Sequence, residues 1–280
     1  MTSALSGRTV VVTGASRGIG RATAKTLASQ GATVLAVARN EALLHDLLRE
    51  LDGTGHRAIE LDVRDEDGWQ KLSDSADRID GLVAAAGIYG PIGRLHTVDL
   101  AAFRDAFEVN FFGTILAVRS CLRRMIEHGG SIVLFGGGGS EPLPGYDAYV
   151  TSKSALVRLA ENLAAELAAD GVRVNAIAPG FVATDIHRAT LEAGPDRSGA
   201  DFHARTVKAL ADGGFPAEEA GELVAFLLSD AGTSVTGKFL SARWDDWRDD
   251  AWRSAQLQQR DSLTMRRVDG TMFSAVGDQR

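Results

Sequence analysis

Tyr149 and Lys153 are the residues whose types and spacing most directly suggest proton-transfer chemistry. A free phenol has a pKa of about 10, which is too high for ready proton exchange at neutral pH. A nearby ammonium group favours the phenolate and so lowers that pKa. A spacing of four places both side chains on one face of a helix. The pair therefore predicts an acid/base site, although a surface Tyr–Lys pair would have the same spacing.

A glycine-rich run lies far upstream, where Thr13–Gly20 reads TGASRGIG directly after the apolar run Thr9–Val12. A strand that ends in such a turn and re-enters as a helix points backbone N–H groups, and the positive end of the helix dipole, at an anion. Gly14 permits the tight turn, Gly18 lets the backbone approach a pyrophosphate, and Gly20 lets the helix pack close to the sheet. The run predicts a site for the phosphates of a nucleotide.

Composition narrows the class of protein. The chain has 280 residues, 45% of them hydrophobic, and a formal charge of −7. This acidic balance argues against nucleic acid or an anionic membrane as the main partner. The N-terminus has no long apolar segment typical of a secretion signal. Cys121 is the single cysteine and cannot form an internal disulfide, so we expect a cytoplasmic, reducing location.

Short β-rich runs alternate with longer helical ones, and these elements must position the two motifs. The predicted strands are Arg8–Val12, Thr33–Ala38, Arg57–Leu61, Gly81–Ala85, Ser131–Phe135, Arg173–Ile177 and Lys238–Ser241. The predicted helices are Gly18–Ser29, Glu41–Leu51, Glu66–Ala76, Ala101–Glu127, Ala148–Ala169 and Ala217–Leu228. Repeated strand–helix–strand units predict an α/β fold, a single Rossmann-like, doubly wound parallel sheet of about seven strands with helices on both faces. We expect one nucleotide-binding domain over residues 1–241 and an extension over residues 242–280 that packs on the same or a neighbouring subunit.

Several motifs of the sequence resemble those of the short-chain dehydrogenase/reductase family. The matching residues are TGASRGIG at Thr13–Gly20, LDV at Leu61–Val63, AAAG at Ala84–Gly87, Asn110, YVTSK at Tyr149–Lys153 and NAIAPGFVAT at Asn175–Thr184. The resemblance implies a homodimeric or homotetrameric NAD(P)-dependent oxidoreductase that interconverts a secondary alcohol and a ketone. It also implies that Tyr149 is the acid/base, that Lys153 additionally holds the nicotinamide ribose, and that Asn110 anchors a water relay to the lysine.

The end of the second strand indicates which nicotinamide cofactor is preferred. Ala38 stands where an acidic residue would bond the ribose hydroxyls of NAD, and Arg39 follows it. Arg17 lies in the glycine loop, and two guanidinium groups suit a 2′-phosphate. The sequence therefore favours NADP(H), with NAD(H) as the alternative. The predicted cofactor contacts are Gly14, Ser16, Arg17, Gly18, Ile19, Gly20, Arg39, Asp62, Val63, Ala86, Gly87, Tyr149, Lys153, Pro179, Gly180, Val182 and Thr184.

Two departures from the family pattern stand out. Ala84 and Ala85 replace the usual asparagine pair, which should weaken the anchoring of the central strand. The family's catalytic serine is also absent, because Gly136 or Gly137 occupies its position. Ser140 could replace it, backbone N–H groups of the glycine run could donate instead, or the substrate or the tail could supply the group. The absence of this serine also leaves open a weak enzyme or a nucleotide-sensing binding protein. An epimerase that oxidises its substrate transiently is a further alternative.

Two segments look added to the sheet, Ile186–Phe215 and the tail Ala242–Arg280. In the first, His187 and His203 could contact substrate, although lone histidines in such a segment are more often solvated. The tail opens with ARWDDWRDDAW. Trp244 and Trp247, or Trp247 and Trp252, could share a helical face that packs on the protein or forms a lid over the substrate.

Overall fold

The computed structural model describes residues 3–137, 142–259 and 261–265. Seven parallel strands form one sheet in the order β3-β2-β1-β4-β5-β6-β7. The strands are β1 Thr9–Thr13, β2 Thr33–Ala38, β3 Arg57–Glu60, β4 Gly81–Ala84, β5 Gly130–Phe135, β6 Val172–Ala178 and β7 Phe239–Ser241. This confirms the predicted doubly wound sheet, and the strand order reverses between β1 and β4, where ligands bind in such folds.

Helices cover both faces of the sheet. They are α1 Gly18–Ser29, α2 Glu41–Leu48, α3 Glu66–Ser75, α4 Leu100–Phe107, α5 Gly113–Met125, α6 Asp147–Glu166, α7 Arg188–Ser198, α8 Ala200–Ala211, α9 Ala217–Leu228 and α10 Asp250–Gln256. Alternate residues of β1 face opposite layers: Val10 and Val12 pack with α1, α2 and α9, whereas Val11 packs with α3, α5 and α6. The strands are therefore buried on both faces, which explains their continuous apolar sequences.

The predicted single helix Ala101–Glu127 is wrong in one respect. A π-helical turn, Glu108–Phe112, separates α4 from α5, and its buried member is Asn110. The Asn110 side chain bonds to the backbone of Ile88, accepting from N–H at 2.8 Å and donating to C=O at 2.9 Å. A π-turn shifts the register of a helix by one residue, and here it directs the amide toward the loop that follows β4.

The described part of the tail packs on the body of the same chain. Trp247 is 5% exposed and belongs to the core layer of α9, with its ring 5.8 Å from that of Phe226. The Lys238 ammonium donates to the backbone oxygens of Gln259 and Ser262. Leu263 O accepts from Phe239 N–H of β7 at 2.7 Å. The chain thus returns to the edge of the sheet after α10.

The expected helical pairing of tryptophans in the tail is wrong. Trp244 and Trp247 lie in a turn, and only Trp252 lies in α10, which begins at Asp250. Asp249 caps that helix, because its carboxylate accepts from Trp252 N–H at 2.7 Å. Trp244 is 76% exposed, so the two tryptophans of the turn have opposite environments.

Trp247→Ala should lower the free energy of unfolding by about 3–5 kcal/mol, because it removes a large buried aromatic group from the core. Trp244→Ala is the matched control and should change it by no more than about 0.5 kcal/mol, because that ring is exposed. Equilibrium denaturation in urea measures both. Equal effects of the two substitutions would contradict the packing of the tail described above.

Candidate active site

The glycine loop between β1 and α1 is built by close backbone contacts. A Cβ atom at Gly20 would lie 2.4 Å from Gly14 O, and one at Gly14 would lie 3.0 Å from Ala86 Cα. Gly14 also has a φ of +67°, which favours glycine. Side chains at positions 14 and 20 would therefore push α1 off the sheet and separate the loop from the end of β4.

The N-terminus of α1 fits a phosphate group. It has no side-chain cap and no acidic residue in its first turn, so N–H groups of that turn keep their capacity for an anion. A Cβ atom at Gly18 would lie 3.1 Å from Thr184 Cγ2. The structure thus brings the glycine loop together with Thr184 and with Ala86, three of the predicted cofactor regions. The residues present fit a dinucleotide.

Thr13 holds the end of β4 where the family's asparagine pair is missing. Its hydroxyl accepts from Ala86 N–H at 3.1 Å, which ties the end of β4 to the end of β1. Ala84 is buried and Ala85 packs against the core. The end of β4 is therefore anchored by the Thr13 hydroxyl and by apolar packing, and the effect of the missing asparagines on its stability stays a prediction.

The residues predicted to select the cofactor lie at the ends of β2 and β3. Arg39 is exposed, and its charge contributes to the low pKa of Asp62. The hydrogen bonds from Arg64 are the larger cause, and they lower the pKa of the Asp62 carboxyl to about 2. Arg17 reaches the other side of the cleft, where its guanidinium lies 3.4 Å from Asp185 Oδ2. Both side chains of this pair are at least half exposed.

Tyr149 and Lys153 lie on one face of α6 and converge on Gly137. A Cβ atom at Gly137 would lie 3.0 Å from Tyr149 Oη and 3.3 Å from Lys153 Cβ and Cγ. A Cβ at Gly136 would instead meet the side chains of Phe239 and Val157. Gly137 is therefore the position that faces the tyrosine, and any side chain there would press on the Tyr149 hydroxyl. Ser140, the predicted replacement, lies outside the described residues.

Burial dominates the electrostatics of this pair. It raises the pKa of Tyr149 to about 12 and lowers that of Lys153 to about 8. The expected lowering of the tyrosine pKa by the lysine is thus outweighed in the structure by desolvation. Lys153 is 3% exposed, and its ammonium donates to Ala86 O at 3.4 Å.

Asn110 and Gly87 complete the surroundings of the lysine. A Cβ at Gly87 would lie 3.1 Å from Lys153 Nζ and 3.2 Å from Asn110 Oδ1. Asn110 Nδ2 also donates to Ser152 Oγ at 3.0 Å, and that hydroxyl donates to Tyr149 O at 2.9 Å. Ser152 was missed from the sequence, although it lies within the YVTSK motif. It fastens the asparagine to the helical turn that bears the tyrosine.

The remaining predicted contacts surround the same cleft. Ser16 and Val63 are buried and Ile19 packs against the core. Gly180 has a φ of +83° and lies against the Phe215 ring. Val182 and the turn Asp185–His187 follow Pro179 and Gly180. The expectation that histidines in this segment are solvated is wrong for His187, which is 6% exposed.

An aromatic cluster adjoins Tyr149, and its members Tyr89 and Tyr146 were not predicted from the sequence. Tyr89 contacts both Tyr149 and Tyr146 edge-to-face, with ring centroids 4.7 and 5.2 Å apart. Leu143, Val150, Ile186 and Phe202 pack around them. The wall beside the acid/base candidate is therefore mainly apolar. Among the described residues, no group of three or more His, Cys, Asp or Glu side chains could hold a metal ion.

Comparison with known proteins decides the family. The family model described as short chain dehydrogenase matches residues 8–194. The chain belongs to the short-chain dehydrogenase family. It is 38% identical over 253 residues to the cis-4-hydroxycyclohexanecarboxylate dehydrogenase of Sinomonas cyclohexanicum, covering 86% of this chain and 97% of that protein.

Solved structures agree with the assignment to this family. One is a protein from Beutenbergia cavernae, assigned as an NAD(P)-dependent gluconate 5-dehydrogenase, with NADP at low occupancy. Its TM-score to this chain is 0.74 and its sequence is 32% identical, and the match covers 91% of this chain and 100% of that one. An NAD+-bound xylitol dehydrogenase shows a TM-score of 0.77 and 28% identity over 85% of this chain and 98% of that one. This short-chain dehydrogenase is thus an NAD(P)-dependent oxidoreductase that acts on CH–OH groups. None of its described helices is long and apolar enough to cross a membrane.

Lys153→Met should increase the free energy of unfolding at pH 7 by about 3 kcal/mol, because burial lowers the pKa of the lysine from its usual 10.5 to about 8. Between pH 8 and 10.5 the unfolded wild-type chain holds more protons at this residue, so wild-type stability rises with pH in that window. The variant should lack this rise, and the difference should vanish above pH 10.5.

Urea denaturation of both proteins at pH 7 and at pH 10 measures this effect. Lys71→Met, at an exposed position of α3, is the control and should change little at either pH. A Lys153→Met protein that is less stable than wild type at pH 7 would contradict the buried, weakly compensated charge.

Proposed function

We propose that this protein transfers a hydride between NADP(H) and a secondary alcohol or ketone, with Tyr149 as the acid/base. The observation that carries the proposal is the convergence of the Tyr149 hydroxyl and the Lys153 side chain on Gly137, at the carboxyl ends of the strands. A buried phenol with a raised pKa keeps its proton at neutral pH and can donate it to a developing alkoxide. A nicotinamide, when bound, supplies or accepts the hydride.

Lys153 supports the tyrosine and the cofactor in this proposal. At neutral pH its ammonium is mostly protonated despite burial, and it can donate hydrogen bonds to a ribose hydroxyl. Its charge also stabilises the phenolate that remains after proton donation. Asn110 fixes the loop at Ile88 through both ends of its amide, and this loop passes directly beside Lys153 at Gly87.

The cofactor residues of the proposal are the glycine loop, Arg39 and the segment from Pro179 to Thr184. Gly14, Ser16, Ile19 and Gly20 belong to the glycine loop that would hold the pyrophosphate. Arg39 is the main partner of a 2′-phosphate, because it is exposed at the end of β2 and Ala38 adds no competing carboxylate. Arg17 of the glycine loop, whose guanidinium is exposed, would add a second cation to this site.

The substrate that fits best is a secondary alcohol on a largely apolar frame. Tyr89, Tyr146 and Ile92 form the wall next to Tyr149, and an apolar wall gives a polyol few hydrogen-bonding partners. The relative from Sinomonas cyclohexanicum acts on a hydroxylated cyclohexane ring, as its name states. Cyclohexanols and their ketones are therefore the first substrates to test, with xylitol and gluconate as polar comparisons.

Tyr149→Phe should lower turnover of the best substrate about 100-fold or more while NADPH still binds, because only the acid/base hydroxyl is removed. Turnover is followed by the absorbance of the reduced nicotinamide, which an epimerase would leave without net change. Tyr146→Phe is the matched control: it lies three residues earlier, and its hydroxyl donates to Thr190 at 2.8 Å. Wild-type turnover in Tyr149→Phe would overturn the role of this tyrosine.

Arg39→Ala should weaken NADPH binding about 10- to 100-fold and leave NADH binding unchanged, because a charge-assisted bond to the 2′-phosphate is lost. Fluorescence titration with each nucleotide measures the two dissociation constants. Arg49→Ala, which removes an exposed arginine paired with Asp46, should affect neither. An equal loss for both nucleotides would remove the preference for NADP(H) from the proposal.

A further inference from the structure

Tyr89 and His187 form a buried hydrogen-bonded pair beside the acid/base candidate. The Tyr89 hydroxyl lies 2.8 Å from His187 Nδ1, and the two residues are 98 positions apart in the chain. Their side chains come from different elements, because Tyr89 follows β4 and His187 ends the turn Asp185–His187. Each is 6% exposed. Neither belongs to the proton-transfer machinery proposed above.

The direction of the hydrogen bonds in this pair follows from chemistry. His187 Nε2 lies 3.1 Å from Val182 O, and a carbonyl oxygen can only accept, so Nε2 carries the hydrogen. Burial lowers the pKa of His187, which keeps the imidazole neutral at pH 7 and leaves Nδ1 as an acceptor. The Tyr89 hydroxyl therefore donates to Nδ1.

Tyr89 is unsuited to act as a second acid. Burial raises its pKa far above the usual range, and the charge of a Tyr149 phenolate raises it further. Its single proton is committed to the imidazole. What Tyr89 offers to Tyr149 is its ring, in an edge-to-face contact with ring planes at 87°. Such contacts fix the relative orientation of two aromatic rings.

His187 connects this contact to the segment that follows β6. Its ring stacks on Phe181, with centroids 4.0 Å apart and planes at 13°, and its Nε2–H donates to Val182 O. A continuous set of contacts thus runs from Phe181 and Val182 through His187 and Tyr89 to the Tyr149 ring. At the hydroxyl end of that ring, Gly137 offers no side chain to hold it.

We propose that Tyr89 and His187 are a positioning pair that orients the Tyr149 ring and couples it to the Phe181–Val182 segment. The proposal rests on the proposed role of Tyr149. Through ring packing, the pair holds Tyr149, which has no side-chain partner at position 137. Displacement of a catalytic group by about 1 Å can cost about 100-fold in rate, so this orientation bears directly on turnover.

The test compares Tyr89→Leu, Tyr89→Phe, His187→Phe and the double variant Tyr89→Phe/His187→Phe. Tyr89→Leu removes the ring and should lower kcat about 10- to 100-fold with little change in the KM for the nucleotide. It also admits water beside Tyr149, which favours the phenolate. The apparent pKa in the pH profile of alcohol oxidation should therefore move down.

Coupling within the pair is the second readout. His187→Phe leaves the Tyr89 hydroxyl buried without its acceptor and should lower kcat. In the Tyr89→Phe background the same substitution should change kcat less than about 2-fold, because residues that act through each other are not additive. His128→Phe is the matched control, since His128 lies at the amino end of the strands, with its Nε2 3.2 Å from Ile79 O. It should leave the pH profile unchanged.

Thermal unfolding and NADPH titration of each variant separate misfolding from misplacement of Tyr149. An unshifted pH profile in a folded Tyr89→Leu protein, or additive effects of the two Phe substitutions, would overturn the positioning pair. Should Tyr149→Phe be active, the proposed function fails instead. Should Tyr149→Phe be inactive while folded Tyr89→Leu keeps wild-type kcat, only the positioning pair fails.

Discussion

All strands of the sheet run in one direction, and the rest of the molecule depends on this constraint. Parallel strands place their carboxyl ends on the same side of the sheet, so the loops after β1, β4, β5 and β6 meet there. The glycine loop, Ala86–Gly87, Gly137 and the segment after Pro179 are these four loops. Helix α6 then needs only to present one face to these loops to bring Tyr149 and Lys153 into contact with them.

Much of this arrangement could be predicted from the sequence, because it depends on local patterns. The bounds of α1, β2 and α9 agree with the predicted ones. The two helices have a clear apolar period, β2 is a continuous apolar run, and each has a glycine or proline near an end. The π-turn at Asn110 could not be predicted this way. The buried amide of this turn bonds to Ile88, 22 residues away in the chain, and helical periodicity gives no information about so distant a partner.

The burial of His187 escaped prediction for the same reason. A histidine is buried without a large desolvation cost only if both ring nitrogens have hydrogen-bond partners. The partners of His187 are Tyr89, far upstream, and the Val182 carbonyl. The pKa of Tyr149 is a related case. The sequence shows the lysine that would lower it, whereas the desolvation that raises it depends on how Tyr89, Gly137 and α6 pack together. Residue type and spacing predict which groups meet, and packing determines their electrostatics.

The return of the tail to β7 closes one edge of the sheet. The outward N–H groups of this strand are those of Phe239 and Ser241, and they donate to Leu263 O and to Asp245 Oδ2 at 2.7 Å each. At the opposite edge, β3 is four residues long and exposes Arg57 and Glu60. Open edges of this kind are where chains add strands to one another and aggregate. In the described part of the chain, one edge strand is thus occupied and the other is short and charged, so neither offers a long, open template for adding a strand from a second copy.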